Sequence, residues 1–203
     1  QPPNFAMKQD DAANYGNVGV VIGHELTHGF DDEGRHYDAH GNLQDWWTKK
    51  DAEAFDARAS GLIDEYGAFV AVKDSSDRVK DIHVDGKLTL GENTADNGGI
   101  RLSYNAFLTA SGAATGGKDS FGHTSTQRFF LSYAQGWCVN STDEFAKEAA
   151  KTDPHSPGKY RVNGVLVNTP AFREAFACKL RSPMAPATFR PSAAARIPLS
   201  MRP

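Results

Sequence analysis

From Ala13 to Gly23 the chain is small and apolar, with Val18, Val20, Val21 and Ile22 set among Gly16, Gly19 and Gly23. Charged side chains and histidines appear only after it, at His24, Glu25 and His28, although Asn14 and Asn17 lie within the run. The pattern predicts a helix from Asn14 to about Phe30 that enters a packed interior. Downstream, Thr48-Lys49-Lys50-Asp51 has the form of a capping box. It opens a predicted helix to about Tyr66 with Phe55, Leu62 and Ile63 on its buried side. Further helices are predicted from Glu92 to about Ala110, from Thr126 to about Val139, after the cap Ser141-Thr142-Asp143-Glu144, and after Asn168-Thr169-Pro170 through Phe172 and Phe176.

The segments between them are polar. Residues 1–12 read as a loop and Gly34 to Gln44 as a turn region. Val70 to Leu88 is mixed, with room for short extended pieces and a turn at Val84-Asp85-Gly86-Lys87. Ser111 to Gly122, rich in Gly, Ser and Thr, reads as a mobile loop. No internal repeat is visible. The class is mainly α with little sheet. Trp46 and Trp47 are expected as core anchors at a helix start.

The polar residues of the first helix carry the chemistry. In His24-Glu25-Leu26-Thr27-His28 the two histidines are four residues apart, one above the other on a helix face. They can offer two ring nitrogens to one zinc ion, with Glu25 beside them to work on a water held there. His and Glu inside an apolar helix must be paired or bound to metal, because burying them unsatisfied costs several kcal/mol. A third protein ligand is required. Glu92 and Asp96 share the same four-residue spacing, so one can ligate while the other orients a ligand histidine. Asp31 and Asp32 follow His28 by three and four residues. They stand either as a carboxylate holding the His28 ring or as ordinary helix-end polarity. His36, His40, His83 and His123 have no ligand spacing and read as surface residues. On its own, His155 in Asp153-Pro154-His155-Ser156-Pro157-Gly158 reads as a turn histidine.

Length and charge narrow the class. With 203 residues, 39% hydrophobic and a net charge of -3, the chain can build one domain with a core, and nothing in it favours nucleic acid. No apolar run approaches the roughly 20 residues of a membrane span. Its two cysteines make no disulfide scaffold.

Several blocks together resemble the neprilysin family of zinc metallopeptidases, which includes the endothelin-converting enzymes and bacterial oligopeptidases. They are Asn14-Tyr15-Gly16, Val21 to Arg35, Asp45-Trp46-Trp47-Thr48, Gly91 to Gly99, Gln127 to Leu131, Trp137-Cys138 and Asp153 to Val162, in family order. The resemblance implies a thermolysin-like catalytic domain and one zinc per chain held by His24, His28 and Glu92. It gives Glu25 as general base and Asp96 as the carboxylate behind a ligand histidine. His155 and Arg161 become the pair that stabilises the transition state and grips the substrate backbone. It implies a zinc endopeptidase or oligopeptidase acting on short peptides, in an extracytoplasmic setting rather than the cytoplasm.

Family members are much longer, with a large N-terminal helical domain over the active site. Residues 1–181 are therefore expected to be a partial catalytic domain, with that N-terminal domain of the parent enzyme as a partner. Residues 182–203, rich in Pro, Ala and Arg, are expected to be a disordered tail. Cys138 and Cys178 match positions that pair elsewhere in animal members, so free thiols are expected. Asn4 and Gly136 depart from the animal pattern near the specificity pocket. The competing reading is a zinc-binding or interaction module without catalysis, motivated by the N-terminal half not being in this chain.

Overall fold

Asp10 starts the first helical run: its side chain accepts from the Ala12 N–H, satisfying a donor that a helix N-terminus otherwise leaves free. The computed structural model describes residues 2, 4–73, 81–112 and 117–186. In it the run comprises α1 (Asp11–Asn14), a π-helical turn (Tyr15–Gly19) and α2 (Val20–His28). It begins three residues before the expected Asn14, because Asp10 supplies a cap that hydropathy does not show. The π turn was not expected either. An extra residue in one turn leaves the apolar pattern intact while shifting its phase.

Helix α3 spans Lys49–Gly67 and is capped as expected, with Thr48 accepting from the Asp51 N–H. The mixed segment contains two short strands, β1 (Val70–Val72) and β2 (Ile82–His83), paired antiparallel with Val70 opposite His83. Helix α4 is Leu90–Ser111 and α5 is Ser125–Gln135, the latter closed by a capping box between Thr124 and Gln127. It stops at Gln135, short of the expected Val139. Helix α6 (Asp143–Thr152) is capped by Thr142. Helix α7 (Gly158–Val167) was not expected, and α8 (Pro170–Ala175) has Pro at its first turn. The chain is mainly helical with a small two-stranded sheet, the class read from its pattern.

Two apolar clusters hold these elements. The larger joins Ala12, Val20, Ile100, Phe107, Phe129, Phe130, Tyr133 and Val165; the smaller joins Ala59, Leu62, Tyr66, Val84, Leu90 and Tyr160. Trp47 is half-buried against Phe55, but Trp46 is 47% exposed and is no core anchor. Its ring rests instead on Phe30 and Trp47 at the surface. On α2 the apolar Val21, Ile22 and Leu26 are exposed, so only one side of this helix faces the core.

Part of the loop expected over Ser111 to Gly122 lies outside the described residues. Its last residues form a turn in which Asp119 accepts from the N–H of Phe121 and of His123. Of the tail expected from Ser182, residues 187–203 lie outside the described residues. Residues 182–186 are folded against the domain, with Ala185 buried and Met184 against the larger cluster. Cys138 is exposed and Cys178 half-buried, and among the described residues neither forms a disulfide.

Helices α2 and α4 meet backbone to backbone, and two glycines permit it. A β-carbon at Gly23 would lie 2.7 Å from the Gly99 carbonyl oxygen, and one at Gly99 would lie 2.6 Å from the His24 nitrogen. Both distances are shorter than real contacts, so an added methyl must push the helices apart. Gly99→Ala is expected to cost about 1–3 kcal/mol or more of stability through overpacking, and to reduce the zinc retained per chain. Urea unfolding and elemental analysis of the purified variant check both. Unchanged stability and zinc would mean the crossing is softer than these distances require.

Candidate metal centre

The crossing of α2 and α4 sets the spacing of the side chains that point into it. His24 and His28, one turn apart on α2, bring their Nε2 atoms to 3.0 Å. Glu92 on α4 places Oε2 at 3.3 Å from His24 Nε2 and Oε1 at 3.6 Å from His28 Nε2. Tetrahedral zinc with bonds of about 2.0–2.1 Å separates neighbouring ligand atoms by about 3.3 Å. The triangle therefore fits such an ion, and its two imidazoles and carboxylate are zinc-type donors. Among the described residues these three form the one cluster of metal-binding groups.

Glu92 Oε2 is buried, and ring nitrogens surround it, His24 Nε2 at 3.3 Å and His155 Nε2 at 3.2 Å, a setting in which a carboxylate oxygen calls for a cation. Electrostatics agrees. Burial disfavours the His24 imidazolium, yet hydrogen bonds to Asp96 and Glu92 outweigh it and raise its pKa to about 9. For Glu92, burial raises the pKa, but the His24 hydrogen bond and the nearby histidine charges hold it below the usual carboxylate value. Two carboxylates focused on imidazole nitrogens draw in positive charge, whether proton or metal.

A ring of hydrogen bonds orients these groups. His24 Nδ1 donates to Asp96 Oδ1 at 2.8 Å, which leaves Nε2 free for a metal. Asp96 also receives a bidentate fork from Arg161, Nε to Oδ2 at 2.7 Å and Nη2 to Oδ1 at 2.6 Å. Arg161 is itself buried, with its guanidinium 4.0 Å over the Trp137 ring. Of the two residues after His28, the structure selects Asp31. His28 Nδ1 meets Asp31 Oδ2 at 2.6 Å, while Asp31 Oδ1 accepts from the N–H groups of Glu33 and Gly34. Asp32 takes no part: its Oδ1 is buried without a hydrogen bond, and burial raises its pKa.

His155 lies between α6 and α7, half exposed, with Nε2 at 3.2 Å from Glu92 Oε2. Its other nitrogen meets Asp153 Oδ1 at 2.8 Å, and the same oxygen accepts the His155 N–H. Asp153 was not singled out from sequence, though its place two residues before His155 is an Asx-turn signal. The unexpected helix α7 positions Arg161, and the Tyr133 hydroxyl donates to the Arg161 carbonyl oxygen.

Glu25 is exposed. It lines one cleft together with His24, Asp96, Trp137, His155 and Arg161, and Asn4 and Gly136 line it too. All seven residues singled out from sequence thus lie in or around one centre. His36, His40, His83 and His123 stay outside it: His36 pairs with Asp45, His83 with the Gly67 carbonyl and His123 with Asp119.

Residues 1–190 match the family described as "Peptidase family M13". The chain is 47% identical over 190 residues to membrane metallo-endopeptidase-like 1 of Mus musculus, covering 92% of this chain and 24% of that protein. To endothelin-converting enzyme 1 of Bos taurus it is 42% identical over 188 residues, again 92% of this chain and 24% of the relative. Among solved structures, an inhibitor complex of a zinc metalloprotease of Mycobacterium tuberculosis superposes with a TM-score of 0.88 at 40% identity. That match covers 97% of this chain and 29% of the other. The chain spans about a quarter of the length of the curated relatives it matches.

Proposed function

We propose, since the chain belongs to peptidase family M13, that it carries the zinc centre of an endopeptidase that hydrolyses short peptides. The observation that supports this most is the triangle of His24 Nε2, His28 Nε2 and Glu92, with edges of 3.0–3.6 Å. These three residues would hold one zinc ion. Zinc there supplies Lewis acidity, which makes a water acidic near neutral pH and polarises a peptide carbonyl.

The remaining residues do the proton and charge work. Glu25 reaches the cleft unencumbered by packing, so its carboxylate takes the proton of the attacking water and returns it to the leaving amine. His155, anchored by Asp153, turns Nε2 toward the centre where the oxyanion develops. Arg161 commits Nε and Nη2 to Asp96, which leaves Nη1 to meet a substrate carbonyl along the cleft. Asp96 and Asp31 hold the two ligand rings in the tautomer that presents Nε2.

An extracytoplasmic setting accords with the relatives named membrane metallo-endopeptidase. Among the described residues, no helix is long and apolar enough to cross a membrane. The exposed strip of Val21, Ile22 and Leu26 on α2 supports a second reading, a zinc-binding module whose task is to contact another surface.

Removal of the metal separates the two. Cleavage of a fluorogenic peptide is expected to fall about 10²-fold or more with a chelator, and to return with one equivalent of zinc per chain. Cleavage that persists in chelator would defeat the zinc mechanism. Bound zinc with no cleavage would favour the module.

A further inference from the structure

His155 stands on a loop, and its place over the metal centre is only as good as the loop's attachment. Asp153 holds the ring but belongs to the same loop, so it cannot fix the loop's height above α4. The next residue, Ser156, is 3% exposed, and its Oγ donates to Asn93 Oδ1 at 2.7 Å. Asn93 is fully buried on α4, adjacent in the chain to Glu92. Its Nδ2 donates to Thr89 Oγ1 at 2.9 Å, and the Thr89 hydroxyl passes on to the Asp85 carbonyl oxygen at 2.9 Å. The relay fixes which way the Asn93 amide points, so Oδ1 faces the loop.

Two neighbouring residues of α4 therefore face two neighbouring residues of the loop. Glu92 Oε2 lies 3.2 Å from His155 Nε2, and Asn93 Oδ1 lies 2.7 Å from Ser156 Oγ. In the first rung only the His155 ring is half exposed, at the edge of the cleft where a substrate would lie. The second is sealed in the interior. We infer that Asn93 and Ser156 are positioning residues that set where His155 stands over the metal centre. A buried hydroxyl–amide bond adds little net stability over packed apolar groups, but it is directional, and its loss strands a buried acceptor. A displacement of about 1 Å in a catalytic donor can cost about 10²-fold in rate.

The inference rests on the peptidase reading, and a double-mutant cycle on the whole zinc-loaded protein tests it. Ser156→Ala is expected to lower kcat about 10-fold to 100-fold, leaving KM and zinc content unchanged. In a His155→Ala background the same substitution is expected to change kcat less than about 2-fold, because the donor it positions is gone. A general structural defect would lower the rate in both backgrounds. The inference is overturned if Ser156→Ala leaves kcat intact, or if its full effect persists without His155. Should Ser156→Ala not fold, Ser156→Cys keeps the size, weakens the bond and serves in the same cycle. A wild-type protein that cleaves no peptide, or a His155→Ala variant as active as wild type, would remove the peptidase reading or the role of His155, and this inference with it.

Discussion

Glu25→Gln is expected to bind zinc, fold as the wild type does and lose about 10²–10⁴-fold in kcat. That range is what a positioned general base contributes. Glu25 belongs to the same helix as His24 and His28, yet its side chain is exposed toward the cleft while His24 is buried. Glutamine keeps its size and polarity, so neither α2 nor its crossing with α4 has reason to change. What glutamine lacks is the ability to accept a proton from water and return it to the amine nitrogen. The loss should therefore appear in kcat with KM and zinc per chain close to wild type. Steady-state kinetics on a fluorogenic peptide, with elemental analysis of the same sample, make the measurement. A variant within about tenfold of wild type would mean another group takes the proton.

Asp96→Ala should damage stability and metal binding together. The Asp96 carboxylate is 2% exposed and serves two partners, the His24 ring and the Arg161 fork. Its removal leaves the Arg161 guanidinium buried with, among the described residues, only the more distant Glu92 oxygen, at 3.6 Å, as a paired counter-charge. Breaking a buried ion pair from one side costs about 3–5 kcal/mol. Loss of the carboxylate behind a ligand histidine lowers metal affinity about 10–100-fold. Chemical denaturation and a zinc competition titration measure the two effects separately. A stability loss below about 1 kcal/mol would show that Arg161 finds solvent or another partner in its place.

How much of this was legible in sequence depends on where the determining contact lies. The spacing of His24 and His28, and of Glu92 and Asp96, is a property of one helix each, and helix periodicity transmits it directly. The caps at Thr48 and Thr142 are equally local. Helix α7 is the opposite case. It opens with Pro157-Gly158 and holds Gly164 in its interior, which together read as a turn. Tertiary contacts make it helical: Arg161 is drawn to Asp96, Tyr160 is buried against Phe69, and Gly164 lies under the Tyr66 ring, whose hydroxyl would be 2.8 Å from any β-carbon there. The choice between Asp31 and Asp32 turned on the backbone after His28, where the Glu33 and Gly34 N–H groups lock only Asp31 into place. Spacing could not separate two adjacent acids. The π turn at Tyr15–Gly19 is invisible for a related reason, since small and apolar residues fill either kind of turn.

The glycine contact between α2 and α4 has a consequence for how a zinc ion would be captured under the proposed function. No side chain stands between the two backbones at Gly23 and Gly99, so no rotamer change there can alter the spacing of the two helices that carry His24 and Glu92. The entropy of bringing the donors together is then lost when the chain folds, not when the ion arrives. A preorganised triangle of this kind returns most of its ligand-binding free energy as resistance to unfolding, in proportion to the logarithm of free zinc over its dissociation constant. It also favours ions content with a tight, low-coordination pocket over those that demand six or more oxygens. Selectivity at such a centre would thus be written partly in two residues that carry no functional group at all.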